Sequence, residues 1–326
     1  MQILAVVVRY NMPLDQSQTL LGLCDALSTY PDLAEAYRLL IWDNSPEALA
    51  DPKLSIPFVY RHSNRNLGVS GAYNNALEYA EQHGHIWMLF FDQDSAVTSD
   101  LLRTLLRHSR NLENRTDIVA IAPTVKMGAY TASPKILGFN GRTHDYPAGE
   151  CGIADGRVIA VNSGCMMRTS ALRSIGGFST DFWLDFSDLY VFHQFFLNGK
   201  KVWRAGDTEF QHEMTMLDYD GLMAPWRYKN YLYAETAYSD LYFGRIERLL
   251  QHLKLLARAV KQRIRFKNPE FSRLTVEQFM YRLRVRRSKR LLRFRAEGVR
   301  RLNPSGGQVS DRELASGRPE SVDIKA

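Results

Sequence analysis

Four short and almost unbroken apolar runs punctuate the first hundred residues: ILAVVV at 3–8, YRLLIWD at 37–43, FVYRH at 58–62 and WMLFFD at 87–92. Helical spacing separates the first pair, over about 14–30, and the last pair, from Gly71 to about Gln82. Runs that do not alternate with polar residues suit strands buried on both faces. Their alternation with helices predicts βαβ units and a mostly parallel sheet. The pattern continues with a helix near 99–113 and a strand, IVAIAP, at 118–123. From Gly128 to about Gly156 it lapses into a Gly- and Pro-containing stretch, read as an irregular loop facing a substrate. Then come a strand RVIAVNSG, a helix at 169–175, a GGF turn, a strand end leading into a helix over FWLDFSDLYVFHQFFLNG, and a strand KVWRA.

The last part of the chain changes character. Leu249, Leu250, Leu253, Leu256, Ala257, Val260 and Ile264 recur at helical spacing with Arg248, Lys254, Arg258 and Lys261 between them, which predicts a basic amphipathic helix. A second such stretch runs from Tyr281, and a Gly-, Ser- and Pro-containing tail at 303–326 reads as disordered. Residues 245–301 hold 19 Lys or Arg against 4 Glu, a local +15. The whole chain carries +7, so the remainder is an acidic body at −8. Such an arm is either a solvated helical pair closing the fold, a surface for anionic membrane, or a binder of nucleic-acid phosphates. Its leucines and phenylalanines favour the membrane. No recognisable nucleic-acid module accompanies it, so no nucleic-acid partner is expected.

Composition narrows the class further. At 326 residues with 45% hydrophobic and 24% charged side chains, the chain can bury a substantial core. Three scattered cysteines (Cys24, Cys151, Cys165) exclude a disulfide scaffold and fit a reducing compartment. The opening MQILAVVVRYN has no basic n-region and only a six-residue apolar run, so neither a signal peptide nor a membrane span is expected. Nothing in the sequence reports on oligomeric state.

The candidate chemistry lies at strand ends. Asp92 and Asp94 flank Gln93 after WMLFF, where open α/β sheets bind ligands. Two carboxylates so spaced suit a hard cation, Mg²⁺ or Mn²⁺. Asp43, followed by Asn44 and Ser45, ends another strand and can accept a base N–H, although Asp-Asn-Ser is equally apt for a turn. NRNLGVSGAYNNAL at 64–77 sets Asn66, Gly68 and Gly71 before a helix, a place for close backbone approach and an anion. Asp185 and Asp188 share one face of an opening helical turn, where a helix N-terminus also favours carboxylates for structural reasons.

VVVRYN, IWDNS, NRNLGVSGAYNNAL and FFDQDS, in this order, resemble the nucleotide-binding half of family 2 glycosyltransferases, which have the GT-A fold. The segment from NSGCMMRTSALRSIGGF to KKVWRA is similar to the family's acceptor side, and the resemblance spans roughly 1–215. It implies a GT-A catalytic domain over 1–240, with a nucleotide-sugar half at 1–98 and an acceptor half at 99–240, followed by a basic helical extension at 241–302. It implies that Tyr10, Asn11, Asp43, Asn66, Gly68, Gly71, Asn74 and Asp92 bind the nucleotide sugar. Asp92, Asp94 and His212 would hold the metal, and Asp188, aided by Asp185, would be the general base. Trp183 and Tyr190 are candidates for the acceptor site. Arg9 stands where a small hydroxyl residue is common, and His193 where an arginine is usual.

The DQDS form resembles bacterial rhamnosyltransferases using dTDP-L-rhamnose. The resemblance implies an inverting, metal-dependent single displacement onto a glycan or polyprenyl- or other lipid-linked acceptor of surface polysaccharide synthesis. A cytoplasmic enzyme peripheral on the inner membrane is expected. The rivals are a UDP-sugar donor (galactofuranose or glucose) on the same fold, and a non-catalytic module that binds through its basic arm. The four acidic residues Asp92, Asp94, Asp185 and Asp188 weigh against the last.

Overall fold

A computed structural model describes residues 2–138, 141–212 and 223–302; the tail expected at 303–326 lies outside the described residues. The chain divides into two compact units, Met1–Gly138 with Thr143–Glu213, and Phe139–Arg142 with Met214–Ala326.

The first unit is built on β1 (Ile3–Arg9), β2 (Tyr37–Asp43), β3 (Phe58–His62), β4 (Trp87–Asp92), β5 (Ile118–Met127), β9 (Cys151–Ile153), β11 (Met166–Arg168) and β12 (Lys201–Gln211). Among the described residues these form one sheet in the order β3-β2-β1-β4-β11-β5-β12-β9, with β6 (Tyr130–Ser133) paired on to β5. β1, β2, β3 and β4 run parallel, as do β5 and β12. β11 is antiparallel to both its neighbours. Every residue of β1 is buried. Ile3, Ala5 and Val7 join one core cluster and Leu4, Val6 and Val8 the other, so period-two alternation divides the strand between two dry faces.

Helices cover these faces: α1 (Gln18–Thr29), α2 (Pro31–Ala36), α3 (Gly68–Gln82), α4 (Ser99–Asn111), α5 (Thr169–Ser174) and α6 (Ser187–Leu197). α1 is capped by Ser17, whose Oγ accepts from Leu20 N. The parallel α/β architecture read from the sequence is thus present. The stretch from Gly128 is not irregular, however. It contains β6, β7 (Lys135–Leu137), β8 (Thr143–Asp145) and β9, and β7 forms a small sheet with β8 and β10 (Val158–Ile159). RVIAVNSG supplies only the two residues of β10, and the central strand is the following MMR of β11. FWLD is no strand end: a 3₁₀ turn at Thr180–Phe182 leads into α6.

The second unit contains α7 (Pro225–Tyr242), α8 (Arg245–Arg265), α9 (Glu270–Arg284) and α10 (Arg287–Leu302). Its core is Met223, Tyr228, Leu232, Leu255, Phe271 and Leu274. Tyr228 and Leu232 bring α7 into this unit, whereas the sequence reading set the boundary at 240/241. The helical stretch expected from Tyr281 is two helices, parted after Arg284.

Candidate active site

The carboxyl end of β4 and the last residues of β12 meet. Past the sheet, His212 N donates to Lys126 O (3.0 Å), and His212 bridges to Ser95. This brings the almost buried imidazole between the two expected carboxylates, with Nε2 3.5 Å from Asp92 Oδ2 and Nδ1 3.7 Å from Asp94 Oδ1. The ligand atoms of Asp92, Asp94 and His212 lie within 4.8 Å of one another. Two half-exposed carboxylates and an imidazole, with 117 residues of chain between Asp94 and His212, form an oxygen-rich donor set that fits Mg²⁺ or Mn²⁺.

Residues that the sequence reading did not single out shape the turn. Thr19, fully buried in α1, donates to Asp92 O (2.5 Å) and accepts from Ser95 N (2.8 Å). Ser17 Oγ donates to Gln93 O (2.7 Å), and Gln93 Oε1 accepts from Tyr10 N (2.9 Å). Ser163 Oγ lies 2.5 Å from Ser95 Oγ and accepts from Asp92 N (3.3 Å). Ser95 Oγ is in turn 3.3 Å from His212 Nδ1. Four strand ends and a helix therefore hold the D-Q-D-S turn, and the sign available in the sequence was only the Ser-Q-Thr that opens α1.

Asp188 sits in the first turn of α6, entered through Phe186 at φ 69°. Burial pushes its carboxyl up to about 7; the Leu189 N–H works against this, and the charges of Asp185 and Asp92 add to it. A base with this pKa changes protonation near neutrality, which is what proton abstraction from a hydroxyl needs. The Tyr73 hydroxyl is buried with no hydrogen-bond partner among the described residues, and its pKa is raised by burial and by Asp92, Asp188 and Asp94. His193 is held neutral: burial and then Arg157 bring it down to about 4.

Several expected donor contacts are not open in this arrangement. Asp43 is completely buried. Its Oδ2 pairs with Arg9 and accepts from Tyr60 Oη (2.5 Å), while Oδ1 accepts from Ser45 N (2.9 Å). Arg9, the residue that departs from the family pattern, is thus the counter-ion of Asp43, and a base cannot reach that carboxylate without displacing a partner. At the N-terminus of α3 two N–H groups already have protein partners. Asn66 Oδ1 accepts from Gly68 N (2.9 Å), and the Trp183 carbonyl accepts from Ser70 N (3.3 Å). Gly68, at φ +67°, has no room for a side chain, since a Cβ there would lie 2.1 Å from Trp183 O; one on Gly71 would lie 2.6 Å from Leu67 Cβ. These glycines allow segments to pack closely at the start of α3. Asn74 clamps the GGF turn, donating to Phe178 O and accepting from Phe178 N, both at 2.8 Å. Tyr10 and Asn11 alone of the nucleotide set are exposed at the strand end, with Asn11 N bonded to Ser45 Oγ (2.9 Å). Trp183 and Tyr190 are half-buried.

Another group of ligand type, His108, Cys151 and Asp207, closes on itself. His108 Nε2 is 2.9 Å from Asp207 Oδ1, and Arg107 pairs with the other oxygen, so the group clasps α4 to β12.

Residues 30–176, somewhat less than half of the chain, match the family model described as Glycosyl transferase family 2. No curated protein matches the chain. Among solved structures, the fold is similar to S. aureus TarS 1-349, at 13% identity and TM-score 0.48, over 93% of this chain and 81% of that one. It is also similar to S. aureus TarS, at 15% identity and TM-score 0.48, over 96% and 50%. A third is S. aureus TarS 1-349 in complex with UDP-GlcNAc, at 15% identity and TM-score 0.46, over 93% and 82%. The D-Q-D-S turn, at the end of a parallel strand, lies inside the segment that matches the glycosyl transferase family 2 model, on an α/β fold with a largely parallel central sheet.

Proposed function

We propose that the first unit transfers a sugar from a nucleotide donor, best dTDP-L-rhamnose, with inversion, to a glycan or lipid-linked acceptor at the cytoplasmic face of a bacterial membrane. The observation that carries this is the meeting of Asp92, Asp94 and His212 within 4.8 Å, with Asp188 poised near neutrality in the field of Asp92. Asp188 takes the proton of an acceptor hydroxyl as its oxygen attacks the anomeric carbon, and Asp185 raises the basicity of that carboxylate. Asp92, Asp94 and His212 would hold Mg²⁺ or Mn²⁺, which when bound offsets charge on the departing diphosphate. Tyr10 and Asn11, exposed beside this turn, are the groups nearest to hand for the nucleoside. The choice of rhamnose rests on the D-Q-D-S resemblance.

Titration calorimetry with dTDP and UDP, with and without Mg²⁺ or Mn²⁺, tests the reading on wild type and Asp94→Ala. Metal-dependent binding that disappears in the variant is expected, with dTDP preferred. Stronger binding of UDP would replace rhamnose by a UDP-sugar donor, UDP-GlcNAc and UDP-galactofuranose being the first to try. Failure of either nucleotide to bind the folded protein would overturn the transferase mechanism at this site.

A further inference from the structure

In the second unit, α8 turns one face inward and leaves another uncovered. Leu255, Ala259 and Gln262 are buried. On a different face Ile246, Leu249, Leu253, Leu256, Val260 and Ile264 are 46–78% exposed. Their spacings of three and four residues place all six in one stripe along the helix, which at 1.5 Å per residue is about 30 Å long. Exposed Arg245 and Arg263 border the stripe on one side and exposed Lys261 on the other. Single exposed leucines are ordinary, but six aligned over five turns are not.

Not all of the arm's charge is available to a partner. Arg258 binds Glu235 (2.6 and 3.1 Å), with Arg282 3.7 Å from the same carboxylate. Arg290 binds Asp240 (2.7 and 2.8 Å), and Arg273 bridges Glu270 and Glu277. Arg258, Arg282 and Arg290 tie α8, α9 and α10 to α7, while Arg273 braces α9 along its own surface. Of the cations of α8, Arg245, Lys261 and Arg263 remain exposed beside the stripe, and the acidic residue of this helix is Glu247, whose carboxylate turns back to the Gly244 N–H (2.9 Å).

We infer that this face of α8 lies in the interface of an anionic lipid bilayer, with Ile246, Leu249, Leu253, Leu256, Val260 and Ile264 among the acyl chains and Arg245, Lys261 and Arg263 at the headgroups. Charge decides between the occupants. A second copy meeting the same face would set cation against cation along both borders. Nucleic-acid phosphates would satisfy the cations and leave six apolar side chains in water. An anionic membrane satisfies both. The purpose of the contact, reaching lipid-linked acceptors, rests on the transferase reading; the contact itself does not.

Flotation of the full chain with phosphatidylcholine vesicles, and with the same vesicles containing phosphatidylglycerol, tests it. Wild type is expected to float with the anionic vesicles and far less with the neutral ones. Leu253→Glu with Val260→Glu should weaken partitioning about a hundredfold. Lys261→Gln with Arg263→Gln should weaken binding to anionic vesicles roughly thirtyfold, at about 1 kcal/mol per charge. All substitutions are at exposed positions, and circular dichroism checks that helix content is kept. Wild type that stays in solution, or binding that survives the Glu pair, overturns the inference. So does self-association lost in the Glu pair without vesicle binding, or binding to duplex RNA or DNA in place of vesicles. Calorimetry with dTDP and UDP on the same preparations separates the two readings. Nucleotide binding without flotation sinks only the membrane face, and flotation without nucleotide binding sinks only the transferase.

Discussion

The two units handle buried acid in opposite ways. In the first, Asp92, Asp94, Asp185 and Asp188 gather with one imidazole, and burial together with like charge drives Asp188 up to about 7. In the second, burial also pushes Glu235 up, but Arg258 and Arg282 outweigh it and hold the carboxyl below its ordinary value. An acid that its surroundings tend to discharge is prepared to exchange a proton or accept a cation. One that arginines keep charged is a fastening. Inside the first unit, Asp43 is likewise paired with an arginine, Arg9.

The largest effect should come from Asp188→Asn, which keeps the shape and removes the base. Turnover is expected to fall about a thousandfold. Wild-type turnover should rise with pH through about 7 and then level off, because the charged form is the base. Stability runs the other way. Between the ordinary carboxylate pKa and about 7 the folded state keeps a proton that the unfolded state has released, so wild type loses stability as pH rises through that window. The variant should therefore melt higher than wild type at pH 8 and no higher at pH 4. A turnover profile flat across neutrality would remove Asp188 from the chemistry.

Glu235→Gln tests the opposite arrangement, since it leaves Arg258 and Arg282 without their counter-ion. A loss of about 3 kcal/mol is expected in denaturant unfolding followed through the helical unit. Affinity for dTDP should be unchanged. If the variant is as stable as wild type, the buried pairing is not a fastening and the contrast between the units fails.

How much of this was legible in the sequence depended on distance along the chain. β1 to β4 could be read because each is a continuous apolar run, and the candidate carboxylates Asp92, Asp94, Asp185 and Asp188 could be picked out because they stand at strand and helix ends. α7 could not, because Tyr228, Tyr231, Tyr233, Tyr238 and Tyr242 give it no clean apolar stripe. Strands of three or four residues between Gly128 and Ile153 fall below any period. The protein partners taken up by several candidate donor residues have the same origin. Asp43 meets an arginine 34 residues away, and Ser70 in the first turn of α3 donates to the Phe182 carbonyl across 112 residues. Partners that arrive from so far turn a plausible ligand group into a structural one, and nothing local announces them.

The Arg9–Asp43 pair offers a smaller test of that point. Arg9→Met leaves a fully buried carboxylate with only the Tyr60 hydroxyl and the Ser45 N–H. About 2 kcal/mol of stability should be lost. Adding Asp43→Asn should restore part of it, because the two sites share one interaction. Additive losses, measured by denaturant unfolding of the single and double variants, would mean that the two residues act separately.

The smallest effect separates positioning from mere packing. Thr19→Val preserves volume and removes the hydroxyl that joins Asp92 O to Ser95 N. Two buried backbone groups then lose a partner, at a cost of about 1 kcal/mol in stability. If the hydroxyl also sets the spacing of Asp92 and Asp94, metal-dependent nucleotide binding should weaken about tenfold, well beyond what so slight a destabilisation of a folded protein produces. Thr19→Ser should restore it, since the hydroxyl returns without the methyl. A loss of stability with unchanged metal dependence would show that the strand register of β4 and β12 holds the turn on its own, and that the acidic cluster needs no help from α1 to keep its shape.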